Sequence, residues 1–132
     1  MISRLPPERI AVIAKLKVAP YRGVEHALGS FQTHRFLVGR EVFQLDRAGM
    51  THILERHHPQ FWDGSVKVQQ SFFDPAFTVE DITEAIDGIM KQNRDKLMEF
   101  GGGRGQLTAT WRGRTYMLGV NEGRIGQFYP VE

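Results

Sequence analysis

A chain of 132 residues suits a single domain, and its 41% hydrophobic content can bury a core beside an ordinary 24% charged fraction. The absence of cysteine excludes disulfides, cysteine nucleophiles and zinc–thiolate sites, so a metal would need histidine and carboxylate ligands. The net charge of +2 is unevenly spread: residues 1–40 carry seven Lys/Arg against two Asp/Glu, residues 41–100 six against eleven, and residues 101–132 four against two. Two basic segments of this kind can line a phosphate-binding face, or form a solvated surface with a chance asymmetry. No apolar run approaches the ~20 residues of a membrane helix. The start, Met1-Ile2-Ser3-Arg4-Leu5-Pro6-Pro7, lacks the continuous apolar stretch of a signal peptide, as would a domain cut from a longer exported chain.

In chain order, residues 7–17 read as a short helix, with Pro7 in its first turn and Pro20 forbidding continuation. Residues 21–40 are broken up by Gly23, Gly29 and Gly39, with Phe36-Leu37-Val38 as a possible short strand. Asp46 can cap a helix from Arg47 to about His57, in which Met50, Ile53, Leu54 and His57 share one face and Pro59 ends the run. Residues 60–75 read as loop, with a turn at Asp63-Gly64 and a possible strand over 66–69. Thr78-Val79-Glu80-Asp81 has the form of a capping box, and Ile82, Ala85, Ile86, Ile89 and Met90 continue at helical spacing to about Leu97. After Gly101-Gly102-Gly103 the period changes from 3.6 to 2. Strands over 106–111, 115–120 and 124–129 are joined by turns at Arg112-Gly113-Arg114 and Asn121-Glu122-Gly123. The reading is an α+β domain with N-terminal helices packed on a C-terminal antiparallel meander. Residues 1–44 form a helical or irregular extension and residues 45–132 a catalytic core.

Three of the five histidines lie in Thr51-His52-Ile53-Leu54-Glu55-Arg56-His57-His58-Pro59. Histidine titrates near neutrality, so two of them can serve one reaction as base and acid. Hydrolysis of RNA needs little more. A base takes the proton of the ribose 2′-hydroxyl, an acid protonates the leaving 5′-oxygen, and cations or donors stabilise the phosphorane. The substrate supplies its own nucleophile, no metal or other cofactor is required, and a 2′,3′-cyclic phosphate remains. His52 and His57 are five residues apart, about 140° around a helix. They share a pocket only if the helix ends near Arg56, and His58 is the alternative partner. The plainer reading is structural: histidines in the core or capping a helix C-terminus, whose dipole favours cations. A third reading joins two histidines to Asp63 or a distant carboxylate around a metal, although no HExxH spacing is present.

Lys67 and Arg56 are candidates for phosphate contact. Arg104, Arg112, Arg114 and Arg124 decorate the meander. Thr108 and Thr110, on a strand face shared with Gln106 and Arg112, would complete a polar surface for RNA. Tyr116 and Tyr129 can stack on a base, donate to phosphate, or sit at the core edge. The glycine run at 101–105 follows a helix and precedes a strand, which suits a hinge better than a phosphate cradle. Phe61-Trp62 and Phe72-Phe73 are most simply core.

The order of these features resembles the bacterial EndoU-like ribonuclease toxins of the barnase–EndoU–colicin–RelE group. Those features are His52-Ile53-Leu54, a second histidine soon after, a Phe/Pro-containing loop, a capped helix and a meander closing on Tyr129-Pro130. The resemblance covers roughly residues 45–130. It implies metal-independent cleavage of RNA, often tRNA, by a C-terminal domain of a polymorphic or contact-dependent growth-inhibition toxin. Such a domain is delivered to act in the target-cell cytoplasm and is blocked by a cognate immunity protein. His52 matches the family's first histidine, and Tyr129 its final tyrosine, with Gln127 standing two positions before Tyr129 where the family tends to have threonine. The family's second histidine follows a Gly-Gly pair that is missing here, which leaves His57 or His58. Its sheet lysine is also missing, which leaves Lys67 or an arginine. The expected catalytic residues are therefore His52, His57, His58, Lys67 and Tyr129, and the expected substrate-binding residues Arg56, Arg104, Thr108, Thr110, Arg112 and Gln127. The alternatives are a metal-dependent histidine nuclease and a non-enzymatic binding or immunity module.

Overall fold

The computed structural model describes residues 20–65 and 70–131. The expected helix over 7–17, the possible strand over 66–69 and Lys67 lie outside the described residues.

The first described element is a helix that the sequence reading missed, α1 (Pro20–Leu28). Pro20 stands at its first position, where the missing N–H of proline costs nothing. Val24 and Leu28 carry α1 into the core. The possible strand at 36–38 is one arm of a hairpin, β1 (His34–Val38) and β2 (Glu41–Leu45), in register from His34↔Leu45 to Val38↔Glu41. Gly39, at φ 62, supplies the left-handed turn residue. The expected 44/45 boundary thus falls inside β2.

Helix α2 (Arg47–His57) forms as expected. The Asp46 side chain accepts the Gly49 N–H at 2.7 Å, and Met50, Ile53 and Leu54 are fully buried. The expected helix from Thr78 to Leu97 is two, α3 (Val79–Gln92) and α4 (Arg94–Phe100). The capping box is present: Asp81 N–H donates to Thr78 Oγ1 at 3.0 Å and Thr78 N–H to Asp81 Oδ2 at 2.9 Å. The break comes at Asn93, whose side-chain amide donates to the Ile89 carbonyl at 2.7 Å, an alternative to the helical ladder. The kink lets Leu97 enter the same core as Ile82, Ala85, Ile86 and Ile89.

The meander is β3 (Arg104–Trp111), β4 (Arg114–Asn121) and β5 (Arg124–Val131). Arg112-Gly113 and Glu122-Gly123 join these strands, all four residues at positive φ as two-residue hairpin loops require. The sheet is larger than the expected antiparallel meander. Among the described residues it has five strands in the order β1-β2-β5-β4-β3, curled and mixed, because β2 runs parallel to β5. That join is brief: Gln44 pairs with Arg124, and Gln44 N–H donates to the Gly123 carbonyl at 2.8 Å. Beyond it β2 and β5 part, and α2 lies against β5. Gly49 sets this approach, since a Cβ there would stand 2.5 Å from the Ile125 carbonyl oxygen. Arg124 fastens the same corner, its Nη2 2.7 Å from Asp46 Oδ2. Inward residues Leu107, Leu118, Val120, Ile125 and Phe128 meet the helices, while Arg104, Gln106, Thr108 and Thr110 of β3 face outward. Among the described residues no helix is long and apolar enough to cross a membrane.

Candidate functional site

The packing of α2 on β5 creates a pocket of about 160 Å³ lined by His52, Ile53, Arg56, His57, Gly126, Gln127, Phe128 and Tyr129. It adjoins an open cleft of about 680 Å³ lined by His52, Arg104, Gly105, Gln106, Gly119, Val120, Asn121, Gly126 and Gln127. His52, Gly126 and Gln127 border both.

The backbone explains the cleft. Gly119 pairs with Gln127 but Val120 pairs with Ile125, so Gly126 is an extra residue, a bulge that bends β5 beside the histidines. Gly119 provides the floor. A Cβ there would lie 2.4 Å from Gln127 Oε1, so only glycine lets the Gln127 amide lie flat across β4. Gln106 Nε2 donates to that Oε1 at 2.9 Å.

His57 is held on three sides. Its Nδ1 lies 2.9 Å from the Ser71 carbonyl, which can only accept, so Nδ1 carries the proton and the neutral ring keeps its lone pair on Nε2. The ring stacks on Tyr129 with centroids 4.6 Å apart. The Phe73 N–H donates to the His57 carbonyl at 2.9 Å and Gln70 Nε2 to the Arg56 carbonyl at 2.7 Å, tying the 70–73 loop to the end of α2. Burial, reinforced by the Arg56 and His52 charges, outweighs the Ser71 bond and Asp63 and pushes the His57 pKa down to about 4. His52 is exposed at the cleft, its pKa also lowered, first by partial desolvation and then by Arg56. The helix runs through His57, and His52, Arg56 and His57 nevertheless line one pocket. β5 crosses α2 and offers Gln127 to one end of this stretch and Tyr129 to the other.

His58 is not brought to this pocket. It is buried, with Nε2 2.7 Å from the Phe77 carbonyl and Nδ1 accepting the Gln60 N–H at 3.1 Å. Both nitrogens are engaged, the ring packs on Phe61, and it borders a separate cleft with Leu54, Pro75 and Phe77. Arg112 does not share the outward face of Gln106. It sits in the turn at φ 51, and there its side chain swings to the opposite side of the sheet, 3.3 Å from Glu84 and over the Trp111 ring. Arg114 and Tyr116 are on that side too; Tyr116 is buried, stacked on Phe128 at 4.8 Å, and its pKa is raised by burial. Thr108 and Thr110 are on the outward face but line neither pocket, and Thr110 Oγ1 is 3.3 Å from Thr115 Oγ1. Arg124 is paired with Asp46, while Arg104 stands in the cleft.

Sequence reasoning missed Asn121 and the glycines of the cleft. Gly119 and Gly126 are isolated glycines inside strand patterns, the signature of a bulge or a close approach, and that signal was available. Among the described residues no three His, Asp or Glu side chains are grouped to hold a metal ion. Comparison with protein-family models, with curated proteins and with solved structures finds no match.

Proposed function

We propose that this chain is a metal-independent endoribonuclease of the EndoU-like toxin kind, with a barnase/EndoU-like fold, acting at the pocket between α2 and β5. The observation that carries the reading is the meeting of His52, Arg56 and His57 with Gln127 and Tyr129 in a pocket that borders the larger cleft holding Arg104. Two imidazoles beside a guanidinium match the three requirements of 2′-hydroxyl attack: a base, an acid and a cation for the phosphorane.

In this mechanism His57 is the base. Its Nδ1–H is occupied by Ser71, so Nε2 takes the 2′-hydroxyl proton. The 2′-oxygen forms the new bond to phosphorus, the bond from phosphorus to the 5′-oxygen breaks, and His52 gives its proton to that oxygen. Water later reverses the proton positions. Burial and the Arg56 charge make both histidines less basic than usual. The phosphate anion raises both pKa values when it binds, which charges the more exposed His52 first. Arg56 and Arg104 hold the phosphate, and Gln127 and Tyr129 position the nucleotide. In the toxin setting the target is RNA such as tRNA, the domain works in the cytoplasm of a target cell after delivery on a larger secreted or surface-borne chain, and an immunity protein covers the cleft.

The test is incubation with total tRNA in excess EDTA. The expected result is fragments ending in 2′,3′-cyclic phosphate. His52→Ala and His57→Ala each reduce the rate by about 10²–10⁴-fold, while a folded His58 variant keeps it. Chelator-sensitive cleavage, or equal rates in all variants, overturns the proposal.

A further inference from the structure

We infer that the outer edge of β1, with the groove between it and α3, binds an extended polypeptide segment in which basic and apolar residues alternate. β1 ends the strand order, and among the described residues no strand lies beyond it. The two-residue loop Gly39-Arg40 closes on Val38↔Glu41 as a hydrogen-bonded pair, and such pairs alternate along the hairpin. The N–H and C=O groups of Arg35 and Leu37 therefore point away from β2, toward an incoming strand.

The chemistry on either side of that strand is defined. Toward α3 it would enter a groove of about 620 Å³, with Phe31, His34 and Phe36 on one wall and Glu80, Glu84 and Asp87 on the other. The three carboxylates recur at i, i+4 and i+7 and so share one face of α3. Arg35 is the one Lys or Arg among the lining residues. Glu84 and Asp87 have ion pairs with Arg112 and Lys91, but these are solvent-exposed and exchange at little cost. On the opposite face of the hairpin, Leu37 is 68% exposed and its cross-strand partner Val42 53% exposed, an apolar pair with nothing over it among the described residues. A strand added to β1 alternates its side chains between these two faces, so Lys or Arg meets the carboxylates and an apolar residue covers Leu37.

Two other occupants fit less well. A second copy pairing β1 with β1 about a two-fold axis would set the two α3 carboxylate rows against each other. RNA would bring its phosphates to the same carboxylates. The groove shares no lining residue with the histidine pocket or its cleft, so the inference stands apart from the ribonuclease reading.

The experiment uses the full chain and three labelled seven-residue peptides: one alternating lysine and valine, its glutamate–valine counterpart, and a backbone-N-methylated lysine–valine analogue. Fluorescence anisotropy measures binding, and amide hydrogen exchange reports on β1. The expected result is binding of the lysine peptide alone, protection of the Arg35 and Leu37 amides, and at least tenfold weaker binding to the Glu80→Lys/Glu84→Lys variant. Four results overturn the inference. They are no binding of the lysine peptide, equal binding of the N-methylated analogue, no effect of the charge reversal, and concentration-dependent protection of β1 without peptide, which assigns the edge to a second copy.

Discussion

His57 provides the sharpest quantitative test, because its environment couples the stability of the fold to pH. Its folded pKa is lowered from 6.5 to about 4, chiefly by burial. Between those values the unfolded chain binds a proton that the folded chain refuses, so the unfolded state gains as pH falls. The stability contribution is complete above 6.5, is lost progressively as pH drops, and levels off below about 4. At 1.36 kcal/mol per pH unit, the gap corresponds to about 3 kcal/mol. His57→Gln removes this titration while offering an amide donor to Ser71. Urea unfolding of both proteins at pH 7, 6, 5 and 4 measures the effect. Carboxylates, His52 and His58 titrate in both, so the difference between the two curves isolates His57. The wild type is expected to lose about 3 kcal/mol more than the variant across this range. Parallel curves would show that His57 is open to water and would refute the reasoning about its burial.

Arg56→Gln removes a positive charge that lowers both His52 and His57. Both imidazoles are expected to titrate at higher pH in NMR spectra of the variant, with His58 unmoved. Gly49→Ala sets two effects against each other: alanine favours a helix by about 1 kcal/mol, whereas overpacking costs about 1–3 kcal/mol. Because the obstacle is the Ile125 backbone carbonyl, the clash is expected to win, giving a net loss of stability and weaker cleavage as α2 lifts from β5. His58→Ala strands the Phe77 carbonyl and the Gln60 N–H and opens a cavity, for an expected loss of about 2–4 kcal/mol by chemical denaturation. Activity per folded molecule is expected to stay. Thr78→Ala removes the α3 cap and costs about 1 kcal/mol, read as a drop of a few degrees in Tm.

Much of the local structure was legible. Asp46 before an apolar i, i+3, i+4 series, Thr78 three residues before Asp81, and Gly113 and Gly123 between alternating strands are short-range signals, decided by neighbours within a turn or two. The chain therefore specifies by itself two capped amphipathic helices, a three-stranded meander and a cluster of histidines near the end of one helix. It could not specify β2, because Glu41–Leu45 becomes a strand by pairing with β1 and touching β5, and that parallel contact joins residues 80 positions apart in sequence. Nor could it separate His57 from His58. They are adjacent in sequence with the same side chain, and only the packing of β5 and the 70–77 loop turns one toward Tyr129 and the other onto Phe77. Arg112 shows the same limit, since a turn residue at positive φ leaves the face that strand alternation would assign it. Local hydrogen bonds and periodicity are written in neighbouring residues. Which side chains share a pocket depends on where distant segments close on one another, and that was decided only when α2 came to rest on β5.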